Sequence, residues 1–142
     1  MPGQSGTGIV RRYYDDALTP GNWSALDELV ASDFVDHEVL YGIPATRAGL
    51  RQKYELLRGG FPDLRFDVED LLMDEDKVAA RVMVSGTHSR AFLGQPPTGQ
   101  HFSVMSLNIF RVRNGQITEH WGVFDQMGML TQLRVFPAFA RR

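Results

Sequence analysis

The chain of 142 residues contains no cysteine. Disulfides, thiol nucleophiles and cysteine-based metal sites are therefore excluded. Lysine is scarce, with only Lys53 and Lys77, so almost all positive charge is arginine. There is no block of like charge and the formal net charge is −2, so neither a nucleic-acid partner nor an anionic membrane surface is indicated. No apolar run approaches the roughly 20 residues that span a bilayer. The opening MPGQSGTG lacks the basic and apolar stretches of a secretory signal. These features set the expectation of a cytoplasmic protein that uses no membrane and no nucleic acid.

Several catalytic signatures are also missing. G-x-G-x-x-G, the P-loop, HExxH and G-x-S-x-G are all absent. The segment Gly94 to Gly99 has glycines, but it contains Pro96 and Pro97 and falls between strands. It is no phosphate cradle at a helix N-terminus. The four histidines show no i, i+4 pair. No metal is expected, with a site built by histidines converging from separate segments as the lesser alternative.

What remains is the composition of one globular domain over residues 1–142, with 43% hydrophobic residues. Residues 1–7 are small and polar and read as a loose tail. From Ile9 the pattern is helical: Ile9, Tyr13 and Ala17 stack at i, i+4, i+8, with Val10, Tyr14 and Leu18 beside them. Pro20-Gly21 ends this helix. Asn22 can cap a second helix with Leu26, Leu29 and Val30 inward. Residues Asp33 to His37 read as a short extended segment. A third helix starts near Thr46, shows Leu50, Tyr54 and Leu57 on one face, and stops at Gly59-Gly60.

After Pro62-Asp63 the period changes to two. Strands are predicted around Phe66–Leu72, Val78–Thr87, Phe102–Val112 and Ile117–Phe124. Asn114-Gly115 between the last two is a strong hairpin signal. Met127, Leu130 and Leu133 mark a short closing segment. Helices first and an antiparallel meander afterwards define an α+β fold, with the helices packed on one side of a curved sheet.

Strand parity places Ile117, Glu119, Trp121, Val123 and Asp125 on one face if no bulge intervenes, and His120, Gly122 and Phe124 on the other. Asp125 then lies beside an indole and aliphatic groups, where partial desolvation would make it a base near neutral pH. The alternative is that Asp125 caps the following segment. His37 and His88 lie at strand ends, where sites are often built, and either can equally be structural. His101 opens a strand and is expected to be exposed. Tyr13, Tyr14, Trp23, Phe34 and Tyr54 fit a core, although a tyrosine hydroxyl could reach a pocket and donate to an oxyanion. Methionines such as Met105 suit the wall of an apolar cavity as well as a plain core.

Several segments together resemble the SnoaL-like polyketide cyclase family of the NTF2-like superfamily. They are Phe34-Val35-Asp36-His37, Gly60-Phe61-Pro62-Asp63-Leu64-Arg65, Asp76 to Arg81, Gly86-Thr87-His88, Phe92 to Gly99, and Glu119-His120-Trp121 with Asp125. The resemblance covers about residues 9–133. It implies an α+β cone enclosing a pocket and a homodimer packed through sheet faces. It also implies cofactor-free aldol cyclisation with an acidic base, and Asp125 falls where that acid is expected, with His88 and His37 as catalytic partners. Trp121, Tyr14, Phe34, Met105 and Phe92 are the expected substrate-binding residues for a hydrophobic small molecule. A ketosteroid-isomerase-like isomerase or hydrolase, a non-catalytic binding protein, and an interaction protein working through an exposed sheet face are the competing readings.

Overall fold

The computed structural model describes residues 5–135, and positions 1–4 of the expected tail lie outside them. Positions 5–7 are not loose. The Ser5 hydroxyl accepts from the Gly8 N–H at 3.1 Å and caps α1, Gly6–Arg12. The helix then widens into a π-helical turn, Tyr13–Leu18, in which Thr19 N–H donates to Tyr14 O at 3.0 Å. Tyr13 and Tyr14 both face the core, as the consecutive pair Ile9 and Val10 do one turn earlier. The Arg58 guanidinium closes the far end by donating to the Leu18 and Thr19 carbonyls.

Helix α2 spans Trp23–Leu29, capped by Asn22 as expected. Val30 was expected to continue it, but instead opens strand β1, Val30–Asp36. A β-branched residue gains more by pairing in the sheet than by extending the helix. Helix α3 covers Arg47–Gly60 behind a Thr46 cap. The strands β2 Arg65–Asp74, β3 Lys77–Thr87, β4 His101–Arg113 and β5 Gln116–Phe124 follow, and α4 Gln126–Gln132 closes the described chain.

The strands form one open sheet in the order β1-β5-β4-β3-β2. Its β2 to β5 part is the antiparallel meander, while β1 pairs with β5 in parallel, so the sheet is mixed. The helices cover one face. Alternate residues Val78, Ala80, Val82 and Val84 of β3 point into that core, as do Phe102, Val104, Ser106, Asn108 and Phe110 of β4. The opposite face carries Met105, Leu107, Ile109 and Val123, all exposed.

Strand β5 has a bulge that decides which side chains see the core. Val112 pairs with Ile117 and Arg111 with Glu119, leaving Thr118 without a partner. Ile117 and His120 are therefore both buried, although they lie three positions apart. The side chains sharing the bare face are Glu119, Trp121 and Val123, and the inner set is His120, Gly122 and Phe124.

Candidate active site

Five polar side chains meet in the core, each placed there by a regular element. Asp36 ends β1 on the same parity as the buried Phe34. His120 comes from β5, Asn108 and Ser106 from the inner face of β4, and Lys53 from the inward stripe of α3 beside Leu50, Tyr54 and Leu57. All five are less than a tenth exposed. Buried polar groups at such density must satisfy one another.

They do so through Asp36. Its Oδ2 accepts from Lys53 Nζ at 2.8 Å. Its Oδ1 contacts His120 Nδ1 at 2.9 Å and accepts from the Glu38 N–H at 2.9 Å. On the far side of the ring, His120 Nε2 lies 2.8 Å from Asn108 Oδ1, and Asn108 Nδ2 donates to Ser106 Oγ at 3.1 Å. Gly122 makes this possible, because a Cβ there would lie 2.8 Å from both Asn108 Oδ1 and His120 Nε2.

Glu38, just past β1, is the second carboxylate. Its nearest cation is Lys53, with Nζ 3.9 Å from Oε1 and 3.5 Å from the Glu38 carbonyl oxygen. The two acids diverge. Burial alone would push Asp36 up, but the His120 hydrogen bond and the Lys53 charge outweigh it and hold the carboxyl at about 2, below its usual 3.8. For Glu38 burial wins over the charges of Lys53 and His120, and Asp36 adds repulsion, so its carboxyl is raised above 4.5. Two carboxyls held apart in this way are suited to different tasks, one a fixed charge and the other a proton acceptor.

Glu38 and Lys53 reach a small cavity of about 30 Å³ between the helices and the sheet. Tyr14, Tyr54, Ser106, Asn108 and Phe124 share its wall, with Leu40 and Tyr41 from the β1–α3 connection. A volume this size holds about two water molecules, not the several hundred Å³ expected of a polyketide pocket.

The residues singled out in the sequence are dispersed around this centre. Asp125 is exposed and its Oδ1 accepts from the Gly128 N–H at 2.8 Å, so it is the N-cap of α4 and not part of the cavity wall. The capping alternative describes its geometry. His37 stands on the outer face, stacked on Trp121 at 4.9 Å and bonded to Glu119 at 2.8 Å. Trp121 also lies outside, flanked by Lys77 and Arg111. Met105 is exposed on the same outer face, since odd-numbered residues of β4 point away from the helices. His88 is buried, but its Nδ1 accepts from the Thr98 N–H at 3.3 Å and it anchors the 88–100 loop rather than lining the cavity. Phe92 packs in that loop against Tyr41 and Phe61. Phe34 belongs to the core cluster. Tyr14 does form part of the cavity wall.

Sequence reasoning missed Asp36, Glu38, Lys53, Ser106, Asn108 and Tyr41 as site residues, and its strand parity set His120 on the face opposite the expected base. The signals existed. Lys53 interrupts the apolar stripe of α3, and Ser106 and Asn108 interrupt the inner face of β4. Polar residues on an otherwise apolar face mark a buried network. Among the described residues no group of three or more acids and histidines is arranged to hold a metal ion. No helix there is long and apolar enough to cross a membrane.

The helix-covered open sheet agrees with the comparisons to known proteins. The family model described as SnoaL-like polyketide cyclase matches residues 8–133. The chain belongs to that family. It is 27% identical over 120 residues to the nogalonic acid methyl ester cyclase of Streptomyces nogalater, covering 82% of this chain and 89% of the relative. The crystal structure of wild-type IdmH from Streptomyces antibioticus superposes with a TM-score of 0.81 at 36% identity, over 92% of this chain and 99% of IdmH. TsrD from Streptomyces laurentii shares the fold, with a TM-score of 0.83 at 24% identity over 96% and 99% of the two chains.

Proposed function

We propose that this chain catalyses a proton-abstraction reaction on a neutral carbonyl compound, with intramolecular aldol cyclisation of a polyketide-like substrate as the overall outcome. The observation that carries this reading is the pair Asp36 and Glu38, neighbours in sequence with opposite displacements, of which only Glu38 faces the cavity. The Glu38 carboxylate takes the proton from a carbon between two carbonyls, and the C–H electron pair moves onto a carbonyl oxygen as an enolate. The enolate carbon bonds to a second carbonyl carbon held near it, and the resulting alkoxide takes the proton back from Glu38. No electrons are gained or lost overall, so the scheme calls on no redox partner or cofactor. Asp36, tied to three donors, keeps Lys53 and His120 in place and so sets the field around Glu38.

A guest of polyketide size requires the β1–α3 connection to move, since Leu40 and Tyr41 bound the cavity. The bare sheet face is assigned to a second copy of the chain. Leu72, Leu107, Ile109, Trp121 and Val123 line an open hollow of about 510 Å³ there, a contiguous apolar surface of the kind a second copy could cover.

The test is exchange of the single α-proton of ethyl 2-methylacetoacetate for deuterium, followed by NMR. Wild-type protein accelerates it and Glu38→Gln loses at least about a hundredfold of that acceleration. An unimpaired Glu38→Gln removes Glu38 from the base role. The narrowness of the cavity favours, as a second reading, a non-catalytic binding protein, which predicts no exchange above buffer. A ketosteroid-isomerase-like enzyme would show the same exchange but return the proton to a different carbon instead of closing a ring.

A further inference from the structure

Tyr41 is a residue the scheme above leaves unused, and three features single it out. Its hydroxyl oxygen is shut off from solvent and meets no hydrogen-bond partner among the described residues. A buried donor without an acceptor is unfavourable, and native structures keep one where something else supplies the acceptor. The backbone at Tyr41 is left-handed, with φ 59°, followed by Gly42 at φ 69°. That conformation is rare for an aromatic residue and is found where a side chain must be aimed against local preference. Third, the ring is fixed from behind. Phe92 packs edge-on against it at 5.9 Å, and Phe92 in turn packs on Phe61, which contacts His88.

Tyr41 shares the cavity wall with Glu38. Burial pushes the phenol up, Gln126 partly offsets this, and the Glu38 charge adds to it. The phenol therefore keeps its proton at neutral pH and feels the same carboxylate that faces the cavity. Gln126 acts on it without completing a hydrogen bond of ordinary geometry.

We propose that Tyr41 is the oxyanion-binding residue of the cavity, its phenol donating the hydrogen bond that receives the enolate oxygen, so that the substrates are neutral ketones or β-dicarbonyls that become charged only while bound. The assignment rests on reading the cavity as a proton-abstraction site. In the step, the α C–H bond breaks, its proton forms an O–H bond on Glu38, and its electron pair ends on the carbonyl oxygen facing Tyr41. The phenol O–H is not broken. It strengthens its hydrogen bond as charge develops, which is where an orphaned donor gains most.

The experiment uses 4-nitrophenolate as a stable planar oxyanion and nitrobenzene as its uncharged counterpart. Glu38→Gln imitates the base after it has taken the proton. The full chain carrying Glu38→Gln is compared with the Glu38→Gln, Tyr41→Phe double variant by absorbance titration. Loss of the phenol should weaken 4-nitrophenolate binding by at least about tenfold and leave nitrobenzene binding within about twofold of its original value. Tyr41→Phe alone should melt at the same temperature as the wild type or higher, because the hydroxyl it removes has no partner. Unchanged 4-nitrophenolate affinity, no 4-nitrophenolate binding in either background, or a lowered melting temperature would each overturn the assignment. If 4-nitrophenolate binds Glu38→Gln no better than wild type, while Tyr41→Phe still weakens it, Glu38 fails as base and Tyr41 stands.

Discussion

Lys53 Nζ and Asp36 Oδ2 lie 2.8 Å apart with both side chains almost fully buried. One of only two lysines in the chain is thus spent inside the core. Desolvating an ammonium and a carboxylate costs several kcal/mol per ion, by order of magnitude, unless their geometry and remaining hydrogen bonds are good. Here the remaining positions are filled, by His120 and Glu38 N–H on the carboxylate and by the Glu38 carbonyl and the Tyr54 ring around the ammonium.

Removing one partner leaves the other charge stranded. Lys53→Met should lower stability by about 3–5 kcal/mol. Urea unfolding followed by tryptophan fluorescence measures it. Adding Asp36→Asn to Lys53→Met should recover part of the loss, because the stranded charge is then gone.

The pH dependence of stability should have two opposed limbs. Asp36 titrates at about 2 when folded against an ordinary 3.8, so its contribution of about 2 kcal/mol is complete above pH 3.8 and disappears as pH falls towards 2. Glu38 is raised above 4.5, so its ionisation disfavours the folded state at neutral pH, and protonating it relieves that penalty. Stability attributable to Glu38 therefore increases as pH falls towards 4.5. Thermal melts of Glu38→Gln across pH 3–7 should lack this gain and keep the acid loss.

Gly122→Ala places a methyl group against the His120 ring and Asn108 Oδ1. The ring must turn, and its contact with Asn108 should break while the fold survives. The His120 imidazole signals in a two-dimensional NMR spectrum should move far more than those of His101. Proton-exchange activity should drop, and the melting temperature should fall as well, because two buried groups lose their partner at a cost of about 1–3 kcal/mol.

Asp125→Ala should cost about 1 kcal/mol through loss of the α4 cap and leave the exchange rate near wild type. Asp125→Asn, another good cap, should change neither. A loss of exchange in Asp125→Asn at unchanged stability would instead return the catalytic role to that residue.

Charge on the bare sheet face tests the proposed pairing of two copies. Leu107→Glu, at an exposed position, should convert dimers to monomers in sedimentation velocity while sparing the cavity on the other face.

Much of the fold can be read from the chain itself because helices and strands differ in period. The change after Pro62-Asp63 separates helices from strands, and Asn114-Gly115 adopts the left-handed pair of conformations that its hairpin requires. The parallel pairing of β1 with β5 has no such local mark. It joins residues more than eighty positions apart, as Val35 with Glu119. The site suffered from one unpaired residue. Without the bulge at Thr118, Ile117 would share a face with Trp121 and Val123, so the buried isoleucine would draw both into the interior. With it, the inner face belongs to His120. Cavity walls built by side chains from β1, α3 and β4 follow from tertiary packing, which no single segment encodes.

The π-helical turn at Tyr13–Leu18 has a bearing on how this scaffold tolerates change. A π turn contains about one more residue than the α turn it replaces. Deleting a single residue from the solvent-facing pair Asp15-Asp16 would let the backbone tighten to ordinary α-helical hydrogen bonding with Leu18 still seated. Consecutive residues of an α-helix diverge by about 100°, which still lets a neighbouring pair share a wide buried face, as Ile9 and Val10 do in α1. A shortened chain of this kind should keep its shape with Tyr13 and Tyr14 still inward, which makes this one turn a place where the scaffold can absorb a change of length.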